Sequence, residues 1–195
     1  TIGKNTHPWA GAARWELVHE LSHELYNLGH MFEAATAHYT ATGKRTFLDI
    51  AIKAADLIDR EFGPGKREDY PGHQEVEMGL VKLYRVTNEE RYLNLAKFFL
   101  DIRGKEGIGN PKKYDQSHLP VTQQTEAVGH AVRGSYMWTS MADIAATWRS
   151  AKLLIGATCF KSIHGRANFM RKNRGHGCVR NLRLYRFRST SAWWD

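Results

Sequence analysis

Apolar positions recur every three or four residues through most of this chain, and each run stops at a helix-ending signal. Leu25, Leu28, Phe32, Ala35 and Tyr39 form one such run within 22–41, closed by Thr42-Gly43. That spacing places all five on one helix face, and glycine readily adopts the left-handed conformation that follows a helix C-terminus. Phe47, Leu48, Ala51, Ala55 and Ile58 predict a second helix over 46–62, ending at Gly63-Pro64-Gly65. Val76, Leu80, Leu83 and Tyr84 predict a third over 74–86. Tyr92, Leu93, Ala96, Phe99 and Leu100 predict a fourth over 89–102, ending at Gly104. A stretch rich in Gly, Lys and Pro reads as a loop from 104 to about 121, and 122–146 as a last helix or a broken pair. No run alternates with the period of two that a half-buried strand shows. The fold class is all-α.

The helices repeat. At an offset of 45, Tyr39 matches Tyr84, Thr42 matches Thr87, Phe47-Leu48 match Tyr92-Leu93, Ala51 matches Ala96, and Asp56 matches Asp101. Each unit is a helix, a short turn and a second helix. Such hairpins bury their stripes against neighbouring hairpins, so an array or a closed ring is expected. Two hairpins and the start of a third are visible, fewer than a ring of about six requires.

Charge divides the chain. From Trp148 onward there are eleven Lys and Arg against one acid, Asp195, while residues 1–147 hold seventeen basic and nineteen acidic residues. The net charge of +8 therefore belongs to the tail, which argues against nucleic acid as the partner of the helical part. In the tail, Tyr185, Phe187 and Trp193-Trp194 are interleaved with arginines, a composition able to bind single strands. The tail lacks periodicity and acids, which favours a non-native or out-of-frame extension, and the organisation expected is a domain over 1–147 and a basic tail over 148–195. No stretch is long and apolar enough for a membrane span. The compartment stays open, with the cytoplasm favoured because residues 1–15 lack a secretory layout. Cys159 and Cys178 have no metal-type spacing.

Three histidines share a context. Gly29-His30, Gly72-His73 and Gly129-His130 each fall in or near the N-terminal part of a predicted helix, so they can converge on one cavity. A neutral imidazole both donates and accepts hydrogen bonds, which suits sugar hydroxyls, and glycine permits a sharp turn or a close backbone approach. His7, His19, His38 and His118 have no such context. Spacings of 43 and 57 give the three no local chelate, so no metal site is assigned to them. Glu33 follows His30 by three residues and is placed to orient its ring, while Glu75 and Glu77 lie two apart and face different ways. Ser22-His23-Glu24 is too contiguous for a nucleophile triad and reads as a helix start capped by Ser22. Trp9, Trp15, Tyr26 and Trp138 are able to stack on a sugar, but core packing is expected of them.

The blocks SHELYNLGHMFEAATAHYTATGKRTFLDIAIKAADLIDREFG, GHQEVEMGLVKLYRVTNEERYLNLAKFFLDIRG and DQSHLPVTQQTEAVGHAVRGSYMWTSMADIAA carry a family likeness. In this order they resemble glycoside hydrolase family 127, whose characterised members are β-L-arabinofuranosidases. The likeness spans about residues 14–146. It implies a partial (α/α)6 barrel and a sugar pocket lined by His30, His73 and His130. It also implies a retaining reaction with a cysteine nucleophile held on zinc by further cysteines and a glutamate, and a glutamate acid/base. After MADIAA the sequence departs from that pattern, and neither Cys159 nor Cys178 stands in a matching block. No catalytic residue and no cofactor are therefore expected within this chain, and an arabinofuranoside or related sugar is its expected ligand. Two alternatives are an epimerase on the same barrel type, using histidines for proton transfer, and nucleic-acid binding by the tail. Apolar stripes facing absent hairpins imply self-association, so size-exclusion chromatography is expected to show oligomers of the purified chain. A monomer that melts cooperatively contradicts that expectation.

Overall fold

A computed structural model describes residues 11–20 and 22–151, and five helices form there: α1 (Glu24–Thr42), α2 (Thr46–Glu61), α3 (Val76–Thr87), α4 (Glu90–Ile102) and α5 (Ala131–Ala151). Among the described residues there is no strand beyond an isolated bridge between Phe62 and Arg67. His7 and Trp9 lie outside the described residues. So does the basic segment beyond Ala151, with its two cysteines and Trp193-Trp194.

The sequence repeat is a repeat of turn chemistry. Gly43 ends α1 with φ 68°, its N–H donating to the Tyr39 carbonyl at 2.8 Å. Asn88 ends α3 with φ 59°, its N–H donating to the Tyr84 carbonyl at 2.7 Å. In both turns a threonine hydroxyl completes the cap: Thr42 and Thr87 each donate to a carbonyl four residues back and accept an N–H two residues ahead. Asparagine tolerates the left-handed conformation almost as glycine does, so both hairpins reverse direction in the same way.

The hairpins stand side by side, with α1 against α3 and α3 against α5 on one layer and α2 against α4 on the other. The apolar stripes read from the sequence meet between the layers. Leu25, Phe32, Ala35, Leu48, Ala55, Ile58, Leu80, Leu83, Tyr92 and Phe99 are all buried there with Met137 and Met141. Trp15 closes the end of this core against Phe62, with ring centroids 5.3 Å apart, and Phe62 in turn meets Phe99 at 5.4 Å. On the outer layer, the Tyr92 hydroxyl donates to Asp56 at 2.6 Å, and Arg91 pairs with the same carboxylate at 2.9 Å, joining α4 to α2.

Two glycines set how closely α1 and α3 approach. A Cβ on Gly29 would stand 2.7 Å from the Val76 backbone nitrogen, and one on Gly79 would stand 2.6 Å from the Gly29 carbonyl oxygen. The obstructing atoms are backbone, so neither helix can yield without shifting as a body.

Two expectations are corrected. Helix α5 begins at Ala131, and 122–130 is a series of turns. The Gln124 side chain donates to the Gln116 and Leu119 carbonyls, both at 2.7 Å, holding this helix-compatible stretch in a folded-back path. Helix α1 begins at Glu24 without a side-chain cap. The Ser22 backbone is instead drawn into the preceding turn, donating to the Leu17 carbonyl at 3.3 Å. The expected domain boundary at 147 falls within α5.

Gly79→Ala is expected to cost about 1–3 kcal/mol through overpacking, a fall of roughly 3–10 °C in Tm for a chain of this size. Thermal melts at matched protein concentration check it; an unchanged Tm contradicts the contact.

Candidate functional site

His30 sits in the second turn of α1, His73 in the segment before α3, and His130 immediately before α5. All three therefore project from one end of the inner layer. The rings of His73 and His130 lie 6.3 Å apart. His30 joins them through two tyrosines: Tyr26 is 4.5 Å from His30 and 4.4 Å from His73, and Tyr136 is 6.0 Å from His30 and 5.8 Å from His73. Tyr26 lies one turn before His30 on the same helix face. Core packing was expected of it, and the structure instead gives it to the site. Trp15 does pack in the core, and Trp138 packs partly buried against it.

The site also includes residues that the sequence pattern did not single out. His23 faces His73 at 5.7 Å and Tyr26 at 5.6 Å. Tyr114 faces His130 at 5.4 Å. The four-residue spacing of Tyr26 and His30 is a legible signal; nothing local to His23 or Tyr114 announces their places. Elsewhere, His19 pairs with Asp69 at 2.9 Å and His38 packs against Phe47.

The site loops rest on buried polar contacts. Gln74 donates from its side chain to the Asp115 carbonyl at 2.9 Å and to the Gln116 side-chain oxygen at 3.1 Å. Gln116 donates onward to the Val128 carbonyl at 2.8 Å. The segment carrying His73 is thus tied to the loop that leads to His130. Arg103, fully buried, donates to the carbonyls of Pro71 and Asp115, and Arg133 donates to the carbonyl of Gly72.

The imidazoles have defined hydrogen-bonding roles. His73 Nδ1 lies 2.8 Å from the Gln74 carbonyl oxygen, which accepts only, so the proton is on Nδ1 and Nε2 is left as an acceptor. Burial lowers the His73 pKa to about 4, with the charges of Arg133, His23 and His130 acting in the same sense, so the ring is neutral at physiological pH. His130 is the complement: its Nδ1 accepts the Arg133 backbone N–H at 3.4 Å, which leaves Nε2 to donate. Burial also pushes the Tyr136 hydroxyl up to about 12, so it remains a neutral donor.

Acidic groups flank His30. Glu75 is fully buried, with Oε1 3.3 Å from His30 Nδ1. Burial raises its pKa well above the usual carboxylate range, and the neighbouring Glu33 and Glu77 carboxylates add to the rise. Glu77 turns the other way, accepting the Glu75 backbone N–H at 3.0 Å, with Arg103 3.9 Å away. Glu33 pairs with Lys82 across the α1–α3 crossing. A groove of about 450 Å³, lined by Glu33, Thr36, Thr40, Lys82 and Arg85 among others, opens beside this cluster. The described residues contain no cysteine. Among them, too, no helix is long and apolar enough to cross a membrane.

The family profile described as beta-L-arabinofuranosidase, GH127 catalytic domain, matches residues 1–164. The non-reducing end beta-L-arabinofuranosidase of Bifidobacterium longum subsp. longum is 38% identical, with 70% of this chain and 24% of that protein covered. Among solved structures, a GH127 beta-arabinofuranosidase is similar with a TM-score of 0.74 at 53% identity, covering 82% of this chain and 24% of its own. A GH127 beta-L-arabinofuranosidase from Geobacillus stearothermophilus T6 is similar with a TM-score of 0.69 at 41% identity, covering 78% of this chain and 26% of its own. The chain thus spans about a quarter of the length of these relatives, and its arc of hairpins corresponds to part of an α/α barrel. With the family profile covering most of the sequence and these relatives agreeing with it, the chain belongs to the GH127 beta-L-arabinofuranosidase catalytic-domain family.

Proposed function

We propose that His30, His73 and His130 contact the sugar, and that this chain contributes one side of an arabinofuranoside pocket. The observation that carries the reading is the pairing of an acceptor with a donor: His73 Nε2 accepts and His130 Nε2 donates, on rings 6.3 Å apart. A furanose presents adjacent hydroxyls that each donate and accept, so such a pair recognises two of them at once. Tyr26 and Tyr136 supply the apolar walls against which a ring's C–H face packs. The Bifidobacterium relative's name specifies a non-reducing-end beta-L-arabinofuranoside, and we adopt that substrate class for this pocket.

Binding and orientation are what these residues provide. A glycosidase needs a nucleophile or activated water and a proton donor on opposite sides of the scissile bond, and no described residue is assigned to either task. The chain alone is therefore expected to bind sugar without cleaving it. Absence of arabinose release from a chromogenic β-L-arabinofuranoside checks the second half; measurable release overturns it. For the first half, saturation-transfer NMR with methyl β-L-arabinofuranoside is expected to show binding that weakens roughly 3–10-fold in His73→Ala or His130→Ala, the loss of about one hydrogen bond each. His38→Ala, remote from the site, is the control. Equal binding by all four proteins refutes the pocket.

The neutral state of His73 also has a pH consequence. Its folded pKa, about 4, lies below the ordinary imidazole value of 6.5. Between these values the unfolded chain binds the proton and the folded chain does not, so stability falls as pH drops from about 6.5 towards 4. His73→Gln is expected to flatten that part of the Tm profile relative to the native chain, with the two profiles parallel above pH 7. Parallel profiles over the whole range contradict the assignment.

A further inference from the structure

We propose that His30, Glu33 and Glu75 form a binding site for a divalent transition-metal cation at the crossing of α1 and α3. One nitrogen or carboxylate oxygen from each residue lies within 4.8 Å of the others. Donors on a common ion with bonds of about 2.0–2.2 Å stand roughly 3–3.6 Å apart, so a small side-chain adjustment brings all three onto one centre.

Glu75 supplies an independent observation. Its side chain is 0% exposed, and among the described residues no N–H or hydroxyl donates to either carboxylate oxygen; its hydrogen-bonding neighbour is the Glu33 carboxylate. His30 Nδ1 stands 3.3 Å from Oε1, yet the two are not hydrogen-bonded. Two donor atoms at van der Waals distance, both available, are the arrangement that a shared cation joins. Two carboxylates placed side by side repel unless a proton or a cation lies between them. The Lys82 ammonium engages one oxygen of Glu33, and the Glu33 carboxylate also meets Glu75.

The scaffold holds the three residues from two sides. His30 and Glu33 lie three apart on α1, hence on one helix face. Glu75 is delivered from the start of α3, where its backbone packs against Gly29. Gly29 thus places the Glu75 carboxylate next to the His30 ring, a structural task beyond any approach of ligand to backbone. The His30 side chain is 42% exposed, so the cluster is open to solvent on that side.

One imidazole and two carboxylates suit divalent first-row cations such as Zn²⁺ and Mn²⁺ better than thiophilic Cu(I). The zinc centre implied by the family likeness is built on cysteine thiolates, and this set contains no cysteine. A cation here would anchor His30 through Nδ1 and leave Nε2 for the pocket.

Mn²⁺ is the probe, because its carboxylate preference separates this site from His23, His73 and His130, which offer imidazoles alone. The full 195-residue chain is titrated with Mn²⁺, the free ion is followed by electron paramagnetic resonance, and Tm is recorded alongside. About one equivalent bound and a Tm that rises with Mn²⁺ are expected. Glu33→Gln and Glu75→Gln should each weaken binding at least tenfold and abolish the Tm rise, while His73→Ala keeps both. Wild-type protein that leaves Mn²⁺ free at millimolar concentration overturns the proposal, as does undiminished binding by the glutamine variants. Should the buried Glu75→Gln substitution prevent folding, Glu33→Gln, whose side chain is partly exposed, decides alone. The readout is the metal, so failure of sugar binding leaves this test unaffected.

Discussion

A buried guanidinium holds together the end of the molecule that carries the site. Arg103 ends α4, and its side chain reaches inward with no exposure to donate to the carbonyls of Pro71 and Asp115. Those carbonyls belong to the two segments that deliver His73 and His130. Burying a guanidinium is costly unless its donors and charge are answered. Here two carbonyls accept from it, the Glu77 carboxylate stands 3.9 Å away, and the Tyr70 ring lies 4.7 Å beneath. Because the cation needs all of these, the loops have little freedom to separate.

The rest of the site follows from that anchor. Gln74 and Gln116 join the same two segments through their side chains, and Arg133 reaches back to the Gly72 carbonyl. With both loops fixed, the His73 ring is held against its own Gln74 carbonyl and the His130 ring against the Arg133 amide. Each contact settles which nitrogen carries the proton. Hydrogen bonds within the scaffold thus become hydrogen-bonding roles at the candidate site.

The glycines of the three Gly-His pairs have a structural explanation. Gly29 lets the start of α3 lie directly on α1, which sets Glu75 beside His30. Gly72 admits the backbone of the N-terminal segment, whose Val18 carbonyl accepts the Gly72 N–H at 2.7 Å. Gly129 takes a left-handed φ of 76°, and the His130 N–H that follows donates to the Tyr114 carbonyl. One dipeptide thus performs three jobs, and in each case it brings a histidine against a second segment of chain.

The helices, their hairpin order and the 45-residue repeat were legible in the sequence, because apolar periodicity and turn chemistry are local properties. The threonine-capped turns at Gly43 and Asn88 show the same local logic twice. The Gly-His recurrence singled out His30, His73 and His130, which the fold brings to one end of the inner layer. The folding back of 122–130 was not legible, since it depends on the Gln124 side chain reaching the carbonyls of the preceding loop, a contact that apolar periodicity does not register. Tertiary structure alone decided that Tyr26 and His23 stand against His73, and that Glu75 lies beside His30. Those groupings depend on contacts between residues tens of positions apart, and their geometry is set by how closely backbones can approach. A linear pattern shows that a glycine is present, but only the packed fold shows which chain lies against it.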